Sequence, residues 1–128
     1  MILLIDTSAG VCKLSIIYNN QSYDDEWQAE KTLARGLLRR INQLLSEHHK
    51  SWTDIKAIGV FEGPGSFTGI RIGLTVMNTI ANTEEIPIVG GRGDRWRDEV
   101  LNKLQANKDE KIVLPFYGSD AKITTSKK

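Results

Sequence analysis

Apolar positions along this chain follow two rhythms, and the change from one to the other marks its elements. Ile2 to Asp6 is a short, continuous apolar run of the kind a buried strand has, and Val11 to Tyr18 alternates well enough for a second strand. Gln21 to Trp27 is a more polar stretch that predicts a third strand nearer an edge. Thr7-Ser8-Ala9-Gly10 and Asn19-Asn20 supply the turns, so these strands form an antiparallel meander. From Thr32 to about Glu47 the period lengthens. Leu33, Leu37, Leu38, Ile41, Leu44 and Leu45 recur at helical spacing, Arg35, Arg39 and Arg40 take the other side, and Thr32 is placed to cap. The stripe is wide for a helix that only covers a small sheet, so most of it is expected in the core and part at an interface.

Ile55 to Phe61 is again a buried-strand run, followed by a helical pattern to about Ala81. That helix carries Ile70, Leu74, Met77, Ile80 and Ala81 on one broad side and Ile72 and Val76 on another, so it is expected to be buried on more than one side. Gly69 and Gly73 lie one turn apart and would let another helix approach closely. Ile86 to Val89 predicts a strand closed by Gly90-Gly91. Gly93 to about Gln105 predicts a third helix with Trp96, Val100, Leu101 and Leu104 inward. Ile112 to Phe116 is a last apolar run. The order is βββαβαβα, an α/β unit with helices packed on a mixed sheet: one domain over 1–117, then a polar, basic tail over 118–128.

Between the fourth strand and the second helix lies Glu62-Gly63-Pro64-Gly65-Ser66-Phe67-Thr68-Gly69, a strand, tight loop and helix in which Ser66 is the expected cap. Two readings stay open. The glycines allow a sharp corner, and a helix N-terminus behind such a loop also offers N–H groups to a phosphate or carboxylate. The candidate anion-binding set is Asp6, Gly63, Gly65, Ser66 and Thr68. The loop lacks a P-loop's Gly-Lys-Ser/Thr ending, Gly63-x-Gly65 followed by Gly69 misses the dinucleotide spacing by one position, and Glu62 would repel a phosphate. Asp6 has the alternative of accepting hydrogen bonds within its own turn.

Composition narrows the function classes. The chain has 128 residues, 40% hydrophobic and 26% charged, an ordinary composition for one globular domain. Its 17 basic and 16 acidic residues leave a formal net charge of +1, which gives direct RNA binding no electrostatic support. Cys12 is the only cysteine and reads as a small packing residue, His48-His49 reads as a helix-end charge complement, and the apolar start stops at Asp6. A reducing, cytoplasmic setting without membrane insertion is expected. No Ser/His/Asp set, Cys/His pair or metal-ligand cluster stands out, so no catalytic residue, metal or cofactor is assigned.

The run Gly63-Pro64-Gly65-Ser66-Phe67-Thr68-Gly69-Ile70-Arg71-Ile72-Gly73, with the opening Ile5-Asp6-Thr7-Ser8, resembles the bacterial TsaB (YeaZ) family in layout from Met1 to about Gly90. The resemblance implies the half-unit of the actin, sugar kinase and Hsp70 (ASKHA, ribonuclease H-like) superfamily. It further implies a non-catalytic scaffold for the TsaD threonylcarbamoyltransferase in tRNA threonylcarbamoyladenosine modification, with a TsaE-like ATPase and with tRNA reached through the complex. The implied interface is a helix bundle with TsaD or a second copy, through Leu33, Leu37, Ile41, Gly69, Gly73 and Met77. Where family members often open the first helix with His-Ser/Ala, this chain has Leu33-Ala34. Leu114-Pro115-Phe116-Tyr117-Gly118 resembles the family's C-terminal strand and tail with the intervening lobe deleted, and a naturally short form is the expectation. A single half-unit cannot close a two-lobed nucleotide cleft, so the alternative is a nucleotide- or anion-binding enzyme assembled as a homodimer around Asp6 and the glycine loop.

Overall fold

In the computed structural model, which describes residues 1–117, the first three strands are β1 (Ile2–Asp6), β2 (Val11–Tyr18) and β3 (Gln21–Gln28). Then follow α1 (Leu33–Glu47), β4 (Ala57–Gly63), α2 (Phe67–Glu84), β5 (Ile88–Arg92) and α3 (Trp96–Gln105), the order the periodicity predicts. The strands form one five-stranded sheet ordered β3-β2-β1-β4-β5. β1–β2 and β2–β3 pair antiparallel, β1–β4 and β4–β5 parallel, so the sheet is mixed. Both α1 and α2 run back against the strands that precede them and therefore lie parallel to each other on one face.

Alternation of side chains across each strand divides the interior. Leu3, Ile5, Leu14, Ile16, Ile58, Val60 and Ile88 point towards α1 and α2 and form the main core with Leu37, Ile41, Leu45, Ile70 and Met77. On the opposite face Leu4, Val89 and Val100 form a small second core, packed by Ile2, Ile17, Trp96 and Leu104. Gly59 makes room there for Val100 and Leu4. Cys12 is wholly buried, and burial, with the Asp6 and Asp25 carboxylates adding to it against Arg40, pushes its thiol up to about 12. It is an inert packing residue at neutral pH, as expected.

Several boundaries move for physical reasons. β4 starts at Ala57 rather than Ile55, because Ser51 and Asp54 close a capping box on the short 3-10 turn Trp52–Asp54 and occupy the approach. Thr32 does not cap α1: its hydroxyl donates 2.6 Å to the Ala29 carbonyl and no side chain takes the cap role. α2 runs on to Glu84 and ends where Glu85 turns left-handed. Gly90 and Gly91 lie inside β5 instead of closing it, since the Glu62 side chain packs over one and the Trp96 backbone over the other. α3 begins at Trp96, after a 3-10 turn over Gly93–Arg95.

The run Ile112 to Phe116 does not form a strand. It is an extended strap held at two points: Asn78 of α2 donates to the Val113 carbonyl and accepts from its N–H, both at 2.9 Å, and the Phe116 N–H donates 2.8 Å to the Glu62 carbonyl. Gly63, at φ 134°, lies directly against the Phe116 carbonyl where a side chain would not fit. Arg92 joins the strap to the sheet, pairing with Glu62 at 2.6 Å while its guanidinium lies over the Phe116 ring. The proposed tail over 118–128 lies outside the described residues.

The outer edge of β5 is closed by other parts of the chain. The Ile88 N–H donates to Asp109 and its carbonyl accepts from the Glu110 N–H. The Gly90 N–H donates to Glu110 at 2.7 Å, its carbonyl accepts from Lys103 at 2.7 Å, and the Arg92 N–H donates to Glu99. Burial opposes it, but the Gly90 amide and the Lys103 ammonium hold the Glu110 carboxyl below its usual range.

Candidate functional site

The Asp6 loop and the glycine corner meet at the carboxyl ends of β1 and β4. Asp6 uses its carboxylate locally, accepting from the Ser8 N–H at 2.9 Å and the Ser8 hydroxyl at 2.6 Å. Ser66 caps α2 as its position predicts: its hydroxyl oxygen accepts from the Gly69 N–H at 3.2 Å. The Ser66 N–H donates to the Ser8 carbonyl at 2.8 Å, and Gly65 lies against the Ser8 side chain. Thr68 stands exposed beyond the corner. Of the five candidate anion-binding residues, the structure thus brings Asp6, Gly65 and Ser66 together with Ser8 between them. Gly63 faces the strap instead. Two N–H groups that an anion would need, those of Ser66 and Gly69, already have partners, and the Asp6 carboxylate is bound to the Ser8 that lies against them. The arrangement is a self-satisfied corner that fixes where α2 starts.

The six residues expected at a helix-bundle interface are placed elsewhere. Leu37, Ile41 and Met77 are 0% exposed and Leu33 is 5% exposed, all within the main core. Gly69 and Gly73 do not admit a second helix. A Cβ at Gly69 would collide with the Thr7 carbonyl and one at Gly73 with the Thr7 hydroxyl, which itself donates 2.7 Å to the Gly69 carbonyl. Small residues here let α2 sit down on the turn after β1. Sequence spacing identified the close approach but not its partner, because that partner comes from the far end of the chain.

What α1 and α2 turn outward is a different set. Parallel packing leaves a seam between them, lined along its first half by Ala34, Ile72, Thr75 and Val76 and along its second by Leu38, Asn42, Thr79 and Ile80, with Trp52 at the far end. Leu38 is 51% exposed, while Ile72, Val76 and Ile80 are half-buried, each one turn from the next. Leu38 is the part of the wide leucine stripe that faces outward, whereas Leu33, Leu37 and Ile41, expected at the interface, lie in the core. The signal for Leu38 was present: at the edge of a stripe too wide for one face, it sits next to Arg39. On the other side of α1, Gly36 admits the Trp27 ring and Arg40 binds Asp25 through two hydrogen bonds of 2.7 and 2.9 Å, tying the helix to β3.

The helix ends add a second aromatic feature. Tyr18 and Tyr23 stack at 4.9 Å where β2 turns into β3, and the Tyr18 hydroxyl lies 3.1 Å from Nδ1 of His48 at the end of α1. His48 therefore anchors the helix end to the hairpin, a contact its sequence neighbourhood did not reveal. Among the described residues, no group of three or more His, Cys, Asp or Glu side chains is placed to hold a metal ion, and no helix is long and apolar enough to cross a membrane.

Comparison with known proteins follows this layout. The family model described as TsaD, tRNA N6-adenosine threonylcarbamoyltransferase, matches residues 27–90, half of the chain. The tRNA threonylcarbamoyladenosine biosynthesis protein TsaB of Buchnera aphidicola subsp. Baizongia pistaciae is 35% identical over 88 residues, covering 69% of this chain and 40% of that protein. Its Escherichia coli counterpart is 31% identical over 90 residues, covering 70% of this chain and 38% of that protein. Among solved structures, YeaZ from Pseudomonas aeruginosa superposes with a TM-score of 0.67 at 26% identity, over 71% of this chain and 43% of that one. The chain belongs to the TsaB (YeaZ) family. Its sheet and helices accordingly form the ASKHA, ribonuclease H-like unit expected from the sequence. It spans about two-fifths of the length of the TsaB relatives it matches, and the family-model match over 27–90 includes the glycine corner and both helices that flank the seam.

Proposed function

We propose that this TsaB-family chain is a non-catalytic, cytoplasmic partner of a TsaD-like catalytic paralogue in the biosynthesis of threonylcarbamoyladenosine on tRNA, and that the two proteins meet at the outer face of the α1–α2 pair. The supporting observation is the seam: Leu38 stands half in solvent above half-buried Ile72, Val76 and Ile80, although α1 and α2 have a full apolar face turned to the sheet. Apolar side chains held in such a row on a small domain favour a partner that removes them from water. A helix laid along the seam would complete a bundle with ordinary ridge-and-groove packing. On this reading a TsaE-like ATPase acts on the assembled pair and tRNA is reached through the complex, consistent with a net charge of +1.

The test is size-exclusion chromatography with light scattering on this chain, alone and mixed with the TsaD homologue of the same organism. A one-to-one complex that Leu38→Asp abolishes, while the variant keeps the wild-type unfolding midpoint, is the expected result. Failure to associate, with or without ATP and the TsaE homologue, overturns the reading. Nucleotide binding by the isolated chain that is lost in Asp6→Ala would favour the homodimeric nucleotide-binding enzyme instead. The Asp6 carboxylate, occupied by Ser8, gives that alternative no specific support.

A further inference from the structure

We propose that the helix docking in the α1–α2 seam carries acidic side chains along the flank that meets α1. This rests on the partner reading above and adds the chemistry of the surface that fills it. The two shoulders of the seam differ. On α1, Arg39 lines the seam and Arg35, exposed one turn before it, lines with it the neighbouring groove beside Trp27, while Arg71 of α2 lines the seam's opening half. Among the described residues none of the three forms an ion pair, whereas Arg40, Arg92, Arg95 and Arg97 all do. Arg40 shows what a structural arginine on the same helix looks like, with two hydrogen bonds to Asp25. Beyond Arg71, whose guanidinium lies over the Phe67 ring, the α2 shoulder carries no charge before Glu84: Thr75, Thr79 and Thr83 are exposed, and the Thr79 hydroxyl donates to the Thr75 carbonyl at 2.8 Å. Among the described residues lining the seam, the acidic one is Glu84, at its far end.

An apolar floor with arginines along the α1 shoulder and at the start of the α2 shoulder, and threonines along the rest of α2, prefers one kind of occupant. A second copy of this chain, laid face to face, would bring another Arg35, Arg39 and Arg71 to the seam with one further glutamate, leaving like charges close together. A helix with an apolar ridge and glutamates or aspartates on one flank satisfies the arginines, each of which can bind a carboxylate through two N–H groups. Charges at the rim of an interface act mainly on encounter rate and on the choice of partner.

The experiment measures association kinetics of the full chain with the TsaD homologue at low and high salt, comparing wild type with Arg35→Glu/Arg39→Glu and with the milder Arg35→Gln/Arg39→Gln. The wild-type association rate is expected to fall steeply with salt. The charge-reversed variant should associate about tenfold or more slowly at low salt and lose the salt dependence, with the glutamine variant in between and the unfolding midpoints unchanged. Association of the reversed variant at the wild-type rate overturns the acidic-flank inference while leaving the partner reading intact. Absence of any wild-type association overturns both. A tight wild-type homodimer that Leu38→Asp dissolves and Arg35→Glu/Arg39→Glu leaves unchanged assigns the seam to a second copy and also overturns the inference.

Discussion

The inward and outward faces of the α1–α2 pair are built from the same helices and nearly the same residue types, yet they have opposite surroundings. Inward, Leu37, Ile41, Ile70 and Met77 are closed off from water entirely, and even the glycines at 69 and 73 are occupied by Thr7. Outward, Leu38, Ile72, Val76 and Ile80 form a row of similar length that nothing in the described chain covers. Hydrophobicity alone does not separate a core from a docking surface. What separates them is the neighbouring position: the inward stripe is bordered by further apolar residues, while the outward row is bordered by Arg39 on one helix and by Arg71 and threonines on the other.

Truncating the inward face should break this contrast most severely. Ile41→Ala removes buried methylenes from a fully packed site and is expected to cost about 2–5 kcal/mol in urea unfolding. Ile41→Asp would be more damaging still, so it reports on folding and not on pairing. Gly73→Ala tests the approach of α2 to the β1 turn: the added methyl meets the Thr7 side chain, its hydroxyl first, and a loss of about 1–3 kcal/mol is expected. If Gly73→Ala leaves stability unchanged, the close packing of α2 on Thr7 is wrong.

A smaller effect probes the far side of the sheet. The Glu110 carboxyl, held below its usual range by the Gly90 amide and Lys103 against its own burial, contributes stability that is present above the ordinary carboxylate pKa and lost as pH falls through its folded value. Glu110→Gln should therefore be less stable than wild type at neutral pH, with the gap narrowing as pH drops below about 4. A gap that stays constant across this range would remove the charged carboxylate from the explanation. The smallest expected effect belongs to the outward face: Leu38→Asp should change the unfolding free energy by no more than about 0.5 kcal/mol. A large loss there would show that the seam contributes to the chain's own stability.

Much of the architecture was legible because periodicity is a local property. The alternation of β2, the switch to helical spacing at Leu33 and the Ser66 cap each depend on residues within a turn or two, and each is found in place. The assignment of faces was not legible in the same way. Leu33, Leu37, Ile41 and Met77 fit a partner surface as well as a core by spacing, and only the sheet behind them decides. The small residues at 69 and 73 announce a close neighbour, but Thr7 is its identity only after β1 and β4 have paired. The strap reads in sequence only as an apolar run, and a strand over 114–118 is implied only by the family resemblance. Its course is set by the Asn78 amide and the Glu62 carbonyl, side-chain and main-chain partners that no pattern near residues 112–116 encodes.

The closed edge of β5 has a consequence for how this chain behaves when crowded. A sheet grows by offering unpaired amides and carbonyls to an incoming strand, and at Ile88, Gly90 and Arg92 those groups are already taken by Asp109, Glu110, Lys103 and Glu99. At the opposite border, Asp24 and Asp25 of β3 are paired with Arg97 and Arg40, Arg40 also donates to the Glu26 carbonyl, and the exposed Glu26 carboxylate would meet its own kind on a like strand. Strand addition is thus hindered at both borders of the described sheet.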